Sequence, residues 1–312
     1  MGRNIAFGNF LGKASIPMLT LHSSLNIIFT HYVRRYNSTF LTSSAVFLSE
    51  LFKFLLCFGI LAVQHQSKIF DHLEIHFRRS QLGKLIIPAA LFTLQNNLFY
   101  MANTNLDSIT YQITYQFKIV TTAFFSYVIL AKHFSKTQVF SLAVLLFGIV
   151  LIQIEDSASS LFIRGRTNEN QLLGFGQVIV ASISSGFTNV YLEKIYKSSD
   201  DTLLIKNLQL SLLSIPISIG NILIQDGATV SQRGLFYAYD VPVLTLVLFN
   251  ALGGLIISLV LKHHDNITKI FSTSVSIILT FVLSVYLFDK RVNEYFMFGL
   301  IHVFVSIYLY YF

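Results

Sequence analysis

A single cysteine, Cys57, occurs in 312 residues. One thiol excludes an internal disulfide framework and any cysteine-based metal site, and its place in an apolar run predicts a packing role. Charge is almost as scarce: 12% of the residues are charged, against roughly 25% in a soluble domain. The motifs of several enzyme classes are missing too. There is no Gly-rich Walker A run and no HExxH, and His263-His264 beside Asp265 lacks the separated spacing by which a helix holds a metal. The longest polar links, 64–84, 155–172 and 225–240, leave no room for a soluble catalytic domain. A chain that is not an enzyme and takes no cofactor or metal is expected. The N-terminus lacks a charged region followed by a short apolar run and a small-residue cleavage site, so the first span is expected to act as its own signal anchor.

What the chain does have is apolar length: 54% of its residues are hydrophobic. Ten stretches have the 18 to 25 residues and the few charges of a membrane span: 14–33, 42–63, 85–105, 109–130, 137–154, 173–193, 203–224, 241–261, 267–288 and 295–312. An all-α, polytopic membrane protein is expected, with residues 1–312 forming one membrane domain. Lys and Arg accumulate on cytosolic loops. A cytosolic N-terminus puts thirteen basic residues on that side and seven on the other, which predicts a multi-pass protein with both termini in the cytosol. The net charge of +7 therefore reads as topology, with the bilayer as partner and no nucleic acid.

The segment 64–84 mixes Asp71, Glu74, Arg78 and Arg79 with Ile69, Phe70, Leu73, Ile75 and Phe77. It predicts either a short surface helix at the headgroups or a solvated loop. The segment 155–172 reads as a connector between two halves of five spans each, about 14–154 and 173–312. Five is odd, so the halves insert with opposite orientation, and inverted repeats of this kind place a substrate site near the bilayer midplane where the halves meet.

Lys118 is the residue that most narrows the function. It is the tenth residue of the apolar run Ile109 to Leu130, which holds no other charge. A Lys near the bilayer centre costs about 2.5 to 3.5 kcal/mol, so such residues usually face a water-filled cavity or a partner. The run extends nine residues before Lys118 and twelve after it, about 14 and 18 Å at ~1.5 Å per residue, beyond comfortable snorkelling reach. Tyr111, Tyr115 and Thr122 lie at helical spacings from Lys118 and share its face. Two phenols, a hydroxyl and an ammonium form a wall suited to an anion attached to a flat ring.

Other polar residues lie in the spans. Glu50 and Lys53, three apart, neutralise one another or a ligand's charges, with a purely structural pair as the alternative. Gln95, Asn96 and Asn97 offer amides to a base or to sugar hydroxyls, or glue helices together. Asp265, Asn266 and Lys269 open the ninth span, and Lys118 with Lys269 would suit a diphosphate. Ser182, Ser185 and Gly186, with Gly253 and Gly254, permit close helix approach. Asn37-Ser38-Thr39 is a formal glycosylation sequon on the predicted lumenal side; Asn266-Ile267-Thr268 is a second match, at a predicted cytosolic helix start.

The run Gln95-Asn96-Asn97-Leu98, with Asn105-Leu106-Asp107 and Thr110-Tyr111-Gln112-Ile113-Thr114-Tyr115-Gln116-Phe117-Lys118-Ile119, resembles the Golgi nucleotide-sugar transporters of the subfamily that carries CMP-sialic acid, UDP-galactose and UDP-N-acetylglucosamine. The likeness continues through Leu172-Leu173-Gly174-Phe175-Gly176, Ser185-Gly186-Phe187, Val190-Tyr191-Leu192-Glu193-Lys194, Asn207-Leu208-Gln209 and Asp265-Asn266-Ile267. It implies a drug/metabolite-transporter fold of ten helices in two inverted five-helix repeats. It also implies exchange of a cytosolic nucleotide sugar for a lumenal nucleoside monophosphate, in the Golgi membrane. Carried onto matching positions, it implies a cavity lined by Asn96, Asn97, Tyr111, Lys118, Asn207 and Lys269, with Glu50 and Lys53 near the sugar or phosphate. Asn250 stands where these carriers usually have Gln.

Ser211 and Leu213 replace the Tyr and Ser typical of the CMP-sialic acid carriers, while Lys118 to Ser126 and Ser272 to Ile277 look more like the UDP-sugar carriers. The resemblance therefore favours a UDP-sugar, N-acetylglucosamine or galactose, exchanged for UMP. Uracil and cytosine differ by swapped donors and acceptors, which a flipped amide can match either way. Asn189 and Ile270 occupy positions where the family usually has Gly, so they are expected to add bulk and narrow the cavity. The alternatives are CMP-sialic acid as cargo, and a non-transporting membrane scaffold that binds glycosyltransferases. A homo-oligomer is a further expected partner state.

Overall fold

The computed structural model describes residues 2–37, 39–79, 82–106, 108–158, 171–198, 201–288 and 294–312. Among these residues the regular structure is helical: α1 (Gly2–Tyr36), α2 (Thr42–His65), α3 (Ile69–Arg79), α4 (Leu82–Asn105), α5 (Ser108–Tyr115), α6 (Lys118–Leu130), α7 (Lys136–Ala158), α8 (Gln171–Lys197), α9 (Leu203–Gln225), α10 (Gly227–Arg233), α11 (Val241–His263), α12 (Asn266–Phe288) and α13 (Glu294–Tyr311). Lipid offers no hydrogen-bond partner, so the backbone of an apolar span must satisfy itself, as a helix does. Among the described residues seven helical stretches are long and apolar enough to cross a membrane: Thr42–Phe77, Ile113–Leu130, Lys136–Gln153, Leu203–Gln225, Val241–His263, Asn266–Leu283 and Glu294–Tyr311.

Local chemistry sets several helix starts. Ser135 and Gln138 exchange side-chain and backbone hydrogen bonds of 3.0 and 3.1 Å, a capping box that opens α7. Asp240 accepts the Val243 N–H at 2.9 Å and starts α11, and Thr202 does the same for α9 through Ile205. The largest departure from expectation is the run 109–130, which is broken. The Gln116 and Phe117 amides donate to Ile113 and Thr114, three residues back instead of four. That tightening ends α5 and restarts the chain as α6 at Lys118.

The chain divides into two compact units, and each draws on both halves of the sequence. Unit 1 is Met1–Thr93 with Ile195–Asp265, and unit 2 is Leu94–Lys194 with Asn266–Phe312. In unit 1 one core joins Val33, Ala45 and Leu48 to Val243, Leu246 and Val247. Close approach of α1 to α11 needs Gly253, where a Cβ would fall 2.5 Å from the His22 ring; His22 also stacks on Phe249 with centroids 4.4 Å apart. A second core holds Cys57, Leu61, Ile69, Ile205 and Leu208, with Leu73 and Phe77 against it. The segment expected to be a headgroup helix or a loop is thus a helix, α3, and it spends Ile69, Leu73 and Phe77 on covering α2 and α9. The His76 Nδ1–Asp201 Oδ1 contact of 2.6 Å fastens it to the start of α9.

In unit 2, Ile119 of α6 joins Leu145 and Ile149 of α7, Ile270 and Phe271 of α12, and Val303 of α13 in one core. Ile270 lies inside that core at 7% exposure. The expectation that it narrows a cavity is corrected: its side chain packs against apolar neighbours, where the hydrocarbon is best accommodated. Helices α7 and α13 cross at Gly148 and Gly299, where a Cβ on either would come within 2.9 or 2.7 Å of the other's carbonyl oxygen.

Candidate functional site

The site begins on α5. Tyr111 and Tyr115, one turn apart, stack with ring centroids 6.2 Å apart and an interplanar angle of 11°, and both lean on Ala102, Leu106 and Val178. The Tyr115 hydroxyl accepts from Gln95 Nε2 at 3.1 Å and lies 3.2 Å from Ser185 Oγ. After the break, Lys118 folds back so that its ammonium stands 4.3 Å from the Tyr115 ring centroid. A cation over an aromatic face gains about 0.5 to 2 kcal/mol, more when desolvated.

Thr122, one turn after Lys118 on α6, stays on its face of the helix. Thr122 is buried at 3% exposure, and its hydroxyl donates to the Lys118 carbonyl at 2.7 Å, so it is spent on the first turn of α6. Thr121 Oγ1 instead bridges to α8, donating to the Ser182 carbonyl at 2.9 Å. Gly186 makes that approach possible: a Cβ there would lie 2.9 Å from the Thr121 backbone carbon.

The second lysine stands on α12. Glu193 of α8, 2% exposed, accepts from the Asn266 backbone N–H at 2.8 Å and from its side-chain amide at 2.9 Å, which caps the helix. One turn on, Lys269 Nζ donates to Asn189 Oδ1 at 2.7 Å. Lys118 and Lys269 stand on helices that share a core, Ile119 of α6 packing in the same cluster as Ile270 of α12. Unit 2 thus holds two cations whose close side-chain partners are a ring and an amide, beside a stack of two phenols. Such an arrangement can take an anion joined to a planar ring.

The remaining predicted residues divide by unit. Asn96 and Asn97 fall on α4, with side chains outside the described residues. In unit 1 Lys53, 6% exposed, pairs with Glu50 at 2.7 Å and lies across Gly254. Asn207 is buried at 2% exposure; its Oδ1 accepts from Ser258 Oγ at 2.8 Å and its Nδ2 donates to the Leu203 carbonyl at 2.9 Å. Asn250 is exposed on α11. Expectation missed the partnership of Asn189 with Lys269 and the part played by Ser185. The signal was present, since Ser185, Asn189 and Glu193 recur every four residues and so share one face of α8.

The model of the family described as nucleotide-sugar transporter matches residues 9–311. The chain is 37% identical to a UDP-galactose/UDP-N-acetylglucosamine transporter of Caenorhabditis elegans, over 95% of this chain and 81% of that one. It is also 37% identical to a UDP-N-acetylglucosamine transporter of Canis lupus familiaris, over 96% of this chain and 94% of that one. A solved crystal structure only 10% identical in sequence shares the fold, with a TM-score of 0.67 over 97% of this chain and 96% of the other.

Proposed function

Since the chain belongs to the nucleotide-sugar transporter family, we propose that it carries a UDP-sugar, UDP-N-acetylglucosamine or UDP-galactose, into the Golgi lumen in exchange for UMP. The observation that carries this reading is the pair Lys118 and Lys269 beside the Tyr111–Tyr115 stack. Phosphate oxygens suit the two ammoniums, each a compact charge with three donors, and a planar base suits the phenol faces. The relatives' substrates support uridine over cytidine, as do the residues from Lys118 to Ser126.

In this reading Tyr111 and Asn207 contact base or ribose, Asn96, Asn97 and Asn250 supply amides, and Glu50 with Lys53 serves the sugar end. The membrane domain has ten spans in two inverted five-helix repeats, with both termini cytosolic. Supporting this, all ten apolar stretches are helical over most of their length, with the fourth formed by α5 and α6 together. The protein contributes no chemistry: it binds, desolvates and releases, and the exchanged nucleotide supplies the driving gradient.

Uptake into proteoliposomes preloaded with UMP or with CMP tests the proposal. Labelled UDP-N-acetylglucosamine, UDP-galactose and CMP-sialic acid are offered in turn. Stimulation by UMP of one or both UDP-sugars is expected. Stimulation by CMP alone overturns the base assignment, and no uptake of any of the three overturns the transport reading.

A further inference from the structure

We propose that Asn189 is a positioning residue for anion capture: its side chain holds the Lys269 ammonium in place for the phosphate groups of the cargo. The proposal deepens the transport reading above and rests on it for its substrate.

Helix α12 grips Asn189 twice. Asn266 Nδ2 donates to the Asn189 backbone carbonyl at 2.7 Å, and Lys269, one turn later, donates to its side-chain Oδ1 at 2.7 Å. The orientation of the Asn189 amide is determined by its other end. Nδ2 donates to the Ser185 carbonyl at 2.8 Å and approaches Ser185 Oγ at 3.4 Å. Flipping the amide would set an NH2 against the ammonium and an oxygen against a carbonyl, so only one orientation satisfies both sides.

An ammonium has three N–H donors. Asn189 occupies one and leaves two for an anion. Unlike a carboxylate, the amide holds the lysine without neutralising it, so the charge stays available for phosphate. A lysine chain otherwise loses much rotamer freedom when it engages a ligand, and Asn189 bears that cost before the cargo arrives. The fixation continues toward the tyrosine stack, because Ser185 Oγ lies 3.2 Å from the Tyr115 hydroxyl, above whose ring Lys118 stands. Asn189 therefore ties the Lys269 end of the site to the Lys118 end.

The test measures UDP-sugar exchange in proteoliposomes with the wild type, Asn189→Gly, Asn189→Ala and Asn189→Asp. Asn189→Gly and Asn189→Ala, which free Lys269, are expected to raise KM about tenfold with Vmax held within twofold, the loss of roughly one hydrogen bond to a charged group. Asn189→Asp keeps an acceptor but neutralises the ammonium, and is expected to raise KM further. Unchanged KM in Asn189→Gly and Asn189→Ala, or a fall in Vmax alone, overturns the proposal. A second readout does not depend on transport: amine-reactive labelling of Lys269, quantified on its peptide against Lys118, is expected to increase in both truncated variants. If the wild type carries no UDP-sugar, the transport reading fails and the labelling alone judges the Asn189–Lys269 contact. Unaltered labelling then overturns it.

Discussion

The Lys118 ammonium stands 4.3 Å from the centre of the Tyr115 ring, across the break that separates α5 from α6. The contact joins a charge to a surface that tolerates it without a counter-ion, so the lysine can await an anion inside an apolar segment. Lys118→Ala is expected to abolish UDP-sugar uptake while leaving melting temperature in detergent and insertion into the membrane at wild-type values. Retained uptake by this variant would remove Lys118 from the site.

Tyr115 has two separable parts. Its ring holds Lys118, and its hydroxyl links Gln95 to Ser185. Tyr115→Phe keeps the ring, so it is expected to lower exchange only a few-fold, about 1 kcal/mol for the lost hydrogen bonds. Tyr115→Ala removes both parts and is expected to approach the loss seen for Lys118→Ala. Equal activities of the two variants would show that the ring contributes nothing.

Glycine governs two helix crossings in unit 2. Lipid gives packed helices no hydrophobic reward over separated ones, so van der Waals contact and interhelical hydrogen bonds must hold them. Gly186→Leu would force α8 off Thr121 and break its hydrogen bond to Ser182, and Gly148→Leu would drive into Gly299 and His302. Both variants are expected to lose the folded peak of the wild type in detergent gel filtration. Gly176→Ala, where nothing lies within 4 Å of the new Cβ, is the control and should elute as the wild type.

In unit 1 the pair of Lys53 and Glu50 is largely out of solvent. Removing one partner strands the other, at a cost of about 3 kcal/mol, whereas replacing both with apolar groups recovers most of that. Lys53→Met should therefore melt several degrees lower than Lys53→Met with Glu50→Leu. The opposite order would mean that the pair is not a unit.

Asn37 heads a formal sequon, yet its Nδ2, the atom that would carry a glycan, donates to the Ala238 carbonyl at 2.7 Å and to Asp240 at 3.1 Å. We expect no change in gel mobility on glycosidase treatment. The same contacts act on Asp240: the Val243 N–H first, and then Asn37, hold its carboxyl below the usual carboxylate range. A lowered pKa stabilises the fold above the ordinary carboxylate value, and this is lost as pH falls through the lowered one. Asp240→Ala is expected to reduce stability at neutral pH and to flatten the acid limb of a melting-temperature profile.

Much was legible in the order of residues alone, for reasons that are local. Apolar runs of span length become helices because lipid leaves the backbone no other partner, and the positions of α2, α9, α11 and α12 fall within a few residues of expectation. The depth of Lys118 follows from counting, and the need for Gly186, Gly253 and Gly254 from their small size. Other features depend on partners distant in the chain. The break at Gln116 leaves no mark in composition, because Gln, Phe and Lys all suit an unbroken helix. Ile270 was readable as apolar, but only the arrival of α7 and α13 decides that it belongs to a core. Gly148 meets Gly299 across 151 positions of sequence, and Asn189 meets Lys269 across eighty. Sequence determined which segments are helical, which charge is costly and which face of a helix is small or polar. Tertiary structure decided which of those faces touch, because a side chain's partner is set by how helices pack, and packing is a property of pairs of segments that neither segment specifies by itself.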